Sequence, residues 1–144
     1  MRVIVLFVLS RIWKFGGIIE RDKNDDQLEL KNHQNIPNEV LKAADPIFPE
    51  IDAYLKSVEG MSATDKTLWK MITVFAGWQK NDSITNFLNN DPVALNLFLD
   101  YQAKLNGNGW HDIYEDWRQY ENDESKKLKN EIYARAVAFA KKGA

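Results

Sequence analysis

The 144-residue sequence contains no cysteine and only two histidines, His33 and His111. Without cysteine the chain can form no disulfide framework, no zinc–thiolate site and no thiol nucleophile. Two histidines are too few for a histidine-rich metal centre. Small secreted folds often depend on disulfides, so the absence of cysteine favours a reducing compartment, and we expect a cytoplasmic protein.

Long hydrophobic runs are also missing. Residues 3–9 are all apolar, but Arg11 and Lys14 follow, and a membrane span needs about 20 apolar residues. Residues 10–13 offer no small-residue cleavage site of the kind that ends a signal peptide. We therefore interpret residues 1–19 as an apolar N-terminal segment, either a buried helix or an isolated strand, and favour the helix because no partner strand is evident. A membrane-surface anchor over residues 3–19 is an alternative, since Trp13 and Phe15 lie beside the two cations.

The chain has no large excess of charge of either sign. Its net charge is −2 and its pI about 5.7, with 44% hydrophobic and 28% charged residues. This composition is typical of a globular protein, and the missing basic footprint argues against nucleic-acid binding. The length predicts a single domain over residues 1–144. Charge is nevertheless segregated: residues 81–124 hold nine acidic and two basic residues, and residues 125–144 hold one acidic and six basic residues.

What is present is mainly helical patterning. Residues 20–35 are polar, with Leu28 and Leu30 as the apolar exceptions, and residues 20–36 are predicted to form a linker or loop. Residues 37–144 form the predicted helical core. Asp45-Pro46, Asp91-Pro92 and Ser62 followed by Asp65 are typical helix starts. A helix over residues 64–79 is apolar nearly all round, which predicts the centre of the core. We expect an all-α fold, a compact bundle of five to seven helices.

Residues 110–120 carry the most informative pattern. At about 100° per residue, a helix would gather its large apolar residues within roughly 120° and place its acids on the opposite side. We expect the helical region to continue towards Lys142, either as one helix or with a break near residues 121–124, and we favour a bend there over a full break. The apolar face would contain Trp110, Ile113, Tyr114, Trp117 and Tyr120, and the acidic face Asp112, Glu115 and Asp116.

This pattern favours a non-catalytic protein-binding module, in which aromatic anchors and an acidic field recognise a basic protein partner. Small acidic helical proteins of this size include inhibitors, antitoxins and immunity-type proteins, and by analogy we expect such a role. The same aromatic residues would also suit an ordinary core. The predicted partner-binding residues are Trp110, Asp112, Tyr114, Glu115, Asp116 and Trp117.

Two other functions stay open. His111-Asp112 resembles the paired ligand of helical metal-dependent phosphohydrolases, which would imply a metal-dependent hydrolase centred on these residues. That family also needs an upstream histidine and a distant aspartate, and His33 lies in the polar loop. The other is a peripheral membrane protein held by residues 3–19. The sequence has no phosphate-cradling Gly-Lys loop and no nucleophile elbow, and we expect no cofactor.

Overall fold

The apolar N-terminal run forms a buried helix. The computed structural model describes residues 2–142, and α1 spans Val3–Lys14. Val5, Leu9 and Ile12 recur at helical spacing and are fully buried, so burial of one face rather than β propensity decides the conformation. The prediction of a buried helix is confirmed, and the isolated strand is wrong. In its last turn the helix carries Arg11 and Lys14, where positive charge suits the helix dipole.

The segment predicted as a polar loop contains a β-hairpin. Strands β1 (Ile18–Arg21) and β2 (Leu28–Lys31) pair antiparallel, with Ile19 opposite Leu30. The apolar side of the hairpin packs against the core, and Glu20 pairs with Lys31 at 2.8 Å on the other side. The loop prediction failed because two alternating leucines were a weak signal within acidic sequence, although such alternation is the mark of a half-buried strand.

Two short helical elements lead into the middle of the chain. Helix α2 covers Asn38–Ala44, a 3₁₀ turn follows at Asp45–Ile47, and α3 covers Phe48–Glu59. The predicted start at Asp45-Pro46 is wrong, because the Asp45 side chain caps no backbone N–H and the α-helix begins three residues later.

Helix α4 covers Ala63–Phe75 and begins as predicted. The Ser62 hydroxyl accepts a hydrogen bond from the Asp65 N–H at 3.1 Å. The helix ends four residues earlier than expected, because Gly77 adopts a φ of +76° and the Trp78 N–H bonds back to a carbonyl in the last turn. It also buries only one face, and Phe75 is 48% exposed. The prediction that this helix is buried nearly all round and forms the centre of the core is therefore wrong.

The C-terminal half consists of three helices, α5 (Asp82–Asn90), α6 (Pro92–Gly107) and α7 (Asp123–Lys142). Asp91 caps α6 by accepting the Ala94 N–H at 3.0 Å, as predicted from Asp91-Pro92. Helix α7 packs against α6 and α4. Residues 2–142 thus contain seven α-helices and one small hairpin, so the prediction of a mostly helical bundle is confirmed.

The buried side chains form two clusters instead of one core centred on a single helix. We call them the N-terminal cluster and the C-terminal cluster. The first joins α1, α2, α3 and the hairpin, and includes Trp78; its fully buried members are Val5, Val8, Leu9, Ile12 and Ile51. The second joins α4 to α7; its fully buried members are Leu68, Met71, Ala94, Phe98, Tyr101, Leu105 and Ile132.

Candidate functional site

Residues 110–116 form a turn-rich loop, and only residues Trp117–Tyr120 are helical, as one 3₁₀ turn. The predicted amphipathic helix from Trp110 onward is therefore wrong, as is the bend near residues 121–124, because α7 is a separate helix. Gly109, with a φ of +115°, directs the chain away from α6. Asp112 and Asp116 then each accept the N–H two residues ahead, at 2.9 and 3.0 Å. Such local side-chain bonds compete with helical hydrogen bonds.

The three acids of the predicted docking face are engaged within the protein. Asp112 holds the loop as described, and the Glu115 carboxylate accepts the Tyr120 hydroxyl. Asp116 binds the Arg118 guanidinium through both oxygens, and only 14% of its side chain is exposed. Hydrogen bonding to Asp116 raises the pKa of Arg118 above its ordinary value. These carboxylates therefore hold the loop together and do not form the solvated acidic face that the helical pattern predicted.

Two of the predicted aromatic anchors lie in the C-terminal cluster. Trp110 and Trp117 are 7% and 3% exposed. The Trp110 indole N–H donates to the Glu115 carbonyl at 3.1 Å, and that of Trp117 donates to the Tyr101 hydroxyl at 3.0 Å. Buried tryptophans usually find such partners. Both side chains belong to the core, as the alternative interpretation of the aromatic pattern had it.

Tyr114 is the predicted residue that reaches a different part of the molecule. Its ring stacks on Trp78 with centroids 5.6 Å apart and planes within 10°. Its other neighbour is Phe7 of α1, which it meets edge-on at 5.2 Å. Phe7 is 38% exposed, and the Arg11 guanidinium lies 5.7 Å from its ring centroid. Tyr114 thus connects the loop to an exposed part of α1.

An exposed apolar strip lies on this side of α1. Val3, Ile4 and Phe7 fall at the i, i+1 and i+4 positions of one helical face and are 38–41% exposed. With Tyr114 they form what we call the Phe7 surface. Sequence reasoning did not identify it, because every residue from 3 to 9 is apolar. The available signal was the position of Arg11 and Lys14, which continue the Phe7 face at i+4 and i+7 and mark it as outward.

A buried polar network lies beneath the C-terminal half. The Tyr101 hydroxyl and the Lys129 ammonium both donate to the same Glu121 oxygen, each at 2.8 Å, and Lys129 also pairs with Asp65 at 2.7 Å. Burial, with the adjacent Glu121 charge, raises the pKa of Tyr101 far above that of a free tyrosine. Burial alone would lower the pKa of Lys129, but its bonds to both carboxylates raise it. Every member of the network has a hydrogen-bond partner. Because Asp65, Tyr101 and Lys129 lie on α4, α6 and α7, the network joins these three helices.

The His111-Asp112 pair is not assembled into a metal centre. His111 is exposed, and the Asp112 carboxylate is turned towards the Tyr114 N–H. Across residues 2–142, no three His, Cys, Asp or Glu side chains come close enough together to hold a metal ion. Nor does any helix of this region have the length and hydropathy required to cross a membrane.

Comparisons of the chain with protein-family models, with curated proteins and with solved structures find no match.

Proposed function

We propose that the protein is a non-catalytic protein-binding module that docks through the Phe7 surface. The observation that carries the proposal is the contact between Phe7 and Tyr114, which joins an exposed strip of α1 to the loop of residues 110–116, which we call the aromatic loop. Single exposed apolar residues are ordinary, but adjoining ones with an aromatic at the centre are typical of interaction sites. Of the residues predicted from sequence, Tyr114 alone is kept in this proposal.

The charges around the Phe7 surface support a protein partner. Arg2 is bound by both carboxylate oxygens of Glu50, and Arg11 lies 3.8 Å from Glu39. An apolar centre with charged groups of both signs around it resembles the anatomy of protein–protein interfaces. Inhibitors, antitoxins and immunity-type proteins act in this way, by covering another protein without chemistry of their own.

The same charges weigh against a membrane surface as the occupant. An interfacial helix immerses its whole apolar face in lipid and uses free cations to attract anionic headgroups. In α1 most apolar residues face the N-terminal cluster, and Glu50 and Glu39 oppose the charge of Arg2 and Arg11. The exposed strip is small and its net charge is reduced, which favours a complementary protein.

The test is affinity capture of companions from the protein's own cells, comparing two matched double variants. Val3→Ser with Ile4→Ser removes two exposed apolar side chains from the Phe7 surface. Val93→Ser with Leu99→Ser removes two from α6, where these residues are 49% and 43% exposed. The first pair should reduce recovery of a stoichiometric companion at least tenfold, and the second should leave it unchanged.

Circular dichroism of both variants checks that the fold is retained. Equal recovery with the two variants, or no stoichiometric companion of the native chain, would overturn the proposal. Flotation with vesicles that contain anionic lipid tests whether a membrane, and not a protein, binds the Phe7 surface. Binding to vesicles that is lost only with the α1 variant would assign this surface to a membrane instead.

A further inference from the structure

A second candidate site lies on a part of the molecule that the Phe7 surface does not include. A cleft of about 860 Å³ opens between the end of α1 and the segment that joins α4 to α5. Its volume lies within the range of about 300–1,000 Å³ that small-molecule sites occupy. Trp13 and Lys14 line one side, and Trp78 and Lys80 line the other. We call it the Trp13–Trp78 cleft.

The indole N–H groups separate these two tryptophans from the other three. Those of Trp69, Trp110 and Trp117 donate to acceptors within the protein, at 2.8, 3.1 and 3.0 Å. For Trp13 and Trp78 no such acceptor is found anywhere in residues 2–142. Trp78 lines the cleft, and an indole N–H that has no acceptor within the protein is free to donate to water or to a ligand.

The cations of the cleft are similarly without partners. Within the described part of the chain, no carboxylate lies within salt-bridge distance of Lys14 or Lys80, so both ammonium groups are available to a ligand. Asp82 is the acid among the lining residues, and it lies in the first turn of α5, where its charge suits the helix dipole. With two cations and one anion among its lining residues, the cleft has an excess of positive charge.

From these groups we infer that the Trp13–Trp78 cleft binds a small organic oxyanion: a flat, apolar body that carries a carboxylate or phosphate. The oxyanion would accept hydrogen bonds from the two ammonium groups and the free indole N–H groups. Ile18 and Val74 complete an apolar wall beside the rings, which suits the body of the ligand. The cleft shares no lining residue with the Phe7 surface.

The experiment is a titration of the full-length protein followed by ¹H–¹⁵N NMR of its five indole groups, assigned with single Trp→Phe variants. The probes are phenyl phosphate and benzoate, with benzyl alcohol as the neutral analogue and inorganic phosphate as the anion without a ring. We expect saturable shifts of the Trp13 and Trp78 resonances with the aromatic anions. The resonances of Trp69, Trp110 and Trp117 should move little.

A matched pair of lysine variants tests the role of charge. Lys14→Met with Lys80→Met should weaken binding of phenyl phosphate at least tenfold. Lys126→Met with Lys127→Met, two exposed residues at the start of α7, should leave it unchanged. Stronger binding of phenyl phosphate than benzoate would identify the ligand class as phosphorylated, and the reverse as a carboxylate.

Equal shifts across all five indoles, saturation with benzyl alcohol, or unchanged affinity in the Lys14 and Lys80 variant would each overturn the inference. Because both lysines are exposed, the variant is expected to fold, and its indole spectrum without ligand checks this directly. Binding of inorganic phosphate as strong as that of phenyl phosphate would also count against it, since the apolar wall would then contribute nothing.

Discussion

The indole ring of Trp78 lies parallel to the ring of Tyr114, with centroids 5.6 Å apart. Trp78 follows α4 and is buried in the N-terminal cluster, whereas Tyr114 belongs to the loop between α6 and α7. The stack therefore ties the aromatic loop to the N-terminal half. It also links the two proposed sites, because Tyr114 belongs to the Phe7 surface and Trp78 lines the Trp13–Trp78 cleft.

Removal of the Tyr114 ring should destabilise the protein. We expect Tyr114→Ala to lower the free energy of unfolding by about 2 kcal/mol, because a half-buried ring and its aromatic contacts are lost. Tyr114→Phe should cost less than about 0.5 kcal/mol, since the ring is kept and its hydroxyl makes no hydrogen bond within residues 2–142. Urea denaturation measures both. Similar losses for the two variants would show that the stack contributes little.

Breaking the buried ion pair should cost more than removing a surface lysine. Lys129→Met leaves the Glu121 carboxylate, which is 7% exposed, without its cation, and we expect a loss of about 3 kcal/mol. Adding Glu121→Gln to Lys129→Met should recover part of this loss, because the stranded charge is removed. Lys126→Met on the same helix is the control, with an expected change below about 0.5 kcal/mol. If Lys129→Met costs no more than Lys126→Met, the pair does not stabilise the fold.

The raised pKa of Tyr101 predicts a loss of stability at alkaline pH. An unfolded tyrosine loses its proton near pH 10, whereas the folded protein keeps the Tyr101 proton to higher pH. The contribution of this group to the free energy of unfolding is therefore fully present below about pH 10. Above that pH the free energy of unfolding falls, by up to about 1.4 kcal/mol per pH unit for each such group. Lys129, with its raised pKa, acts in the same direction, and burial raises the pKa of Tyr54 to about 12.

Denaturation curves recorded from pH 8 to pH 11 check this expectation. Tyr101→Phe should be less stable than the native protein at pH 8, because the bonds to Trp117 and Glu121 are lost. Its stability should nevertheless fall less steeply above pH 10, because one titrating group is gone. Parallel pH profiles for the two proteins would contradict the assignment.

Adjacent glycines at the end of α1 should respond differently to alanine. Gly16 has a φ of +84° and open space around it, so Gly16→Ala should cost about 1 kcal/mol in backbone strain. A Cβ on Gly17 would lie 2.6 Å from the Ile36 side chain and 2.9 Å from the Ile12 carbonyl oxygen. A backbone oxygen cannot rotate away, so Gly17→Ala should cost about 3 kcal/mol. Thermal denaturation of both variants measures the order, and the reverse order would contradict this explanation.

Local signals in the sequence were sufficient for the starts of α4 and α6. Ser62 and Asp91 cap the helices that they were expected to start, because a cap needs only the backbone N–H groups of the next turn. Local patterning predicted the wrong structure for residues 110–120. There the helical pattern of rings was correct as a pattern, but Asp112 and Asp116 bind N–H groups only two residues ahead.

The sequence by itself determined the helical class and the caps of α4 and α6, because helical patterning and caps depend on groups within a few residues of one another. Tertiary structure alone decided which rings stay exposed. Trp117 bonds to Tyr101, whereas Tyr114 contacts Trp78 and Phe7. These partners come from distant parts of the chain, and periodicity along one segment carries no information about which distant surface will cover it.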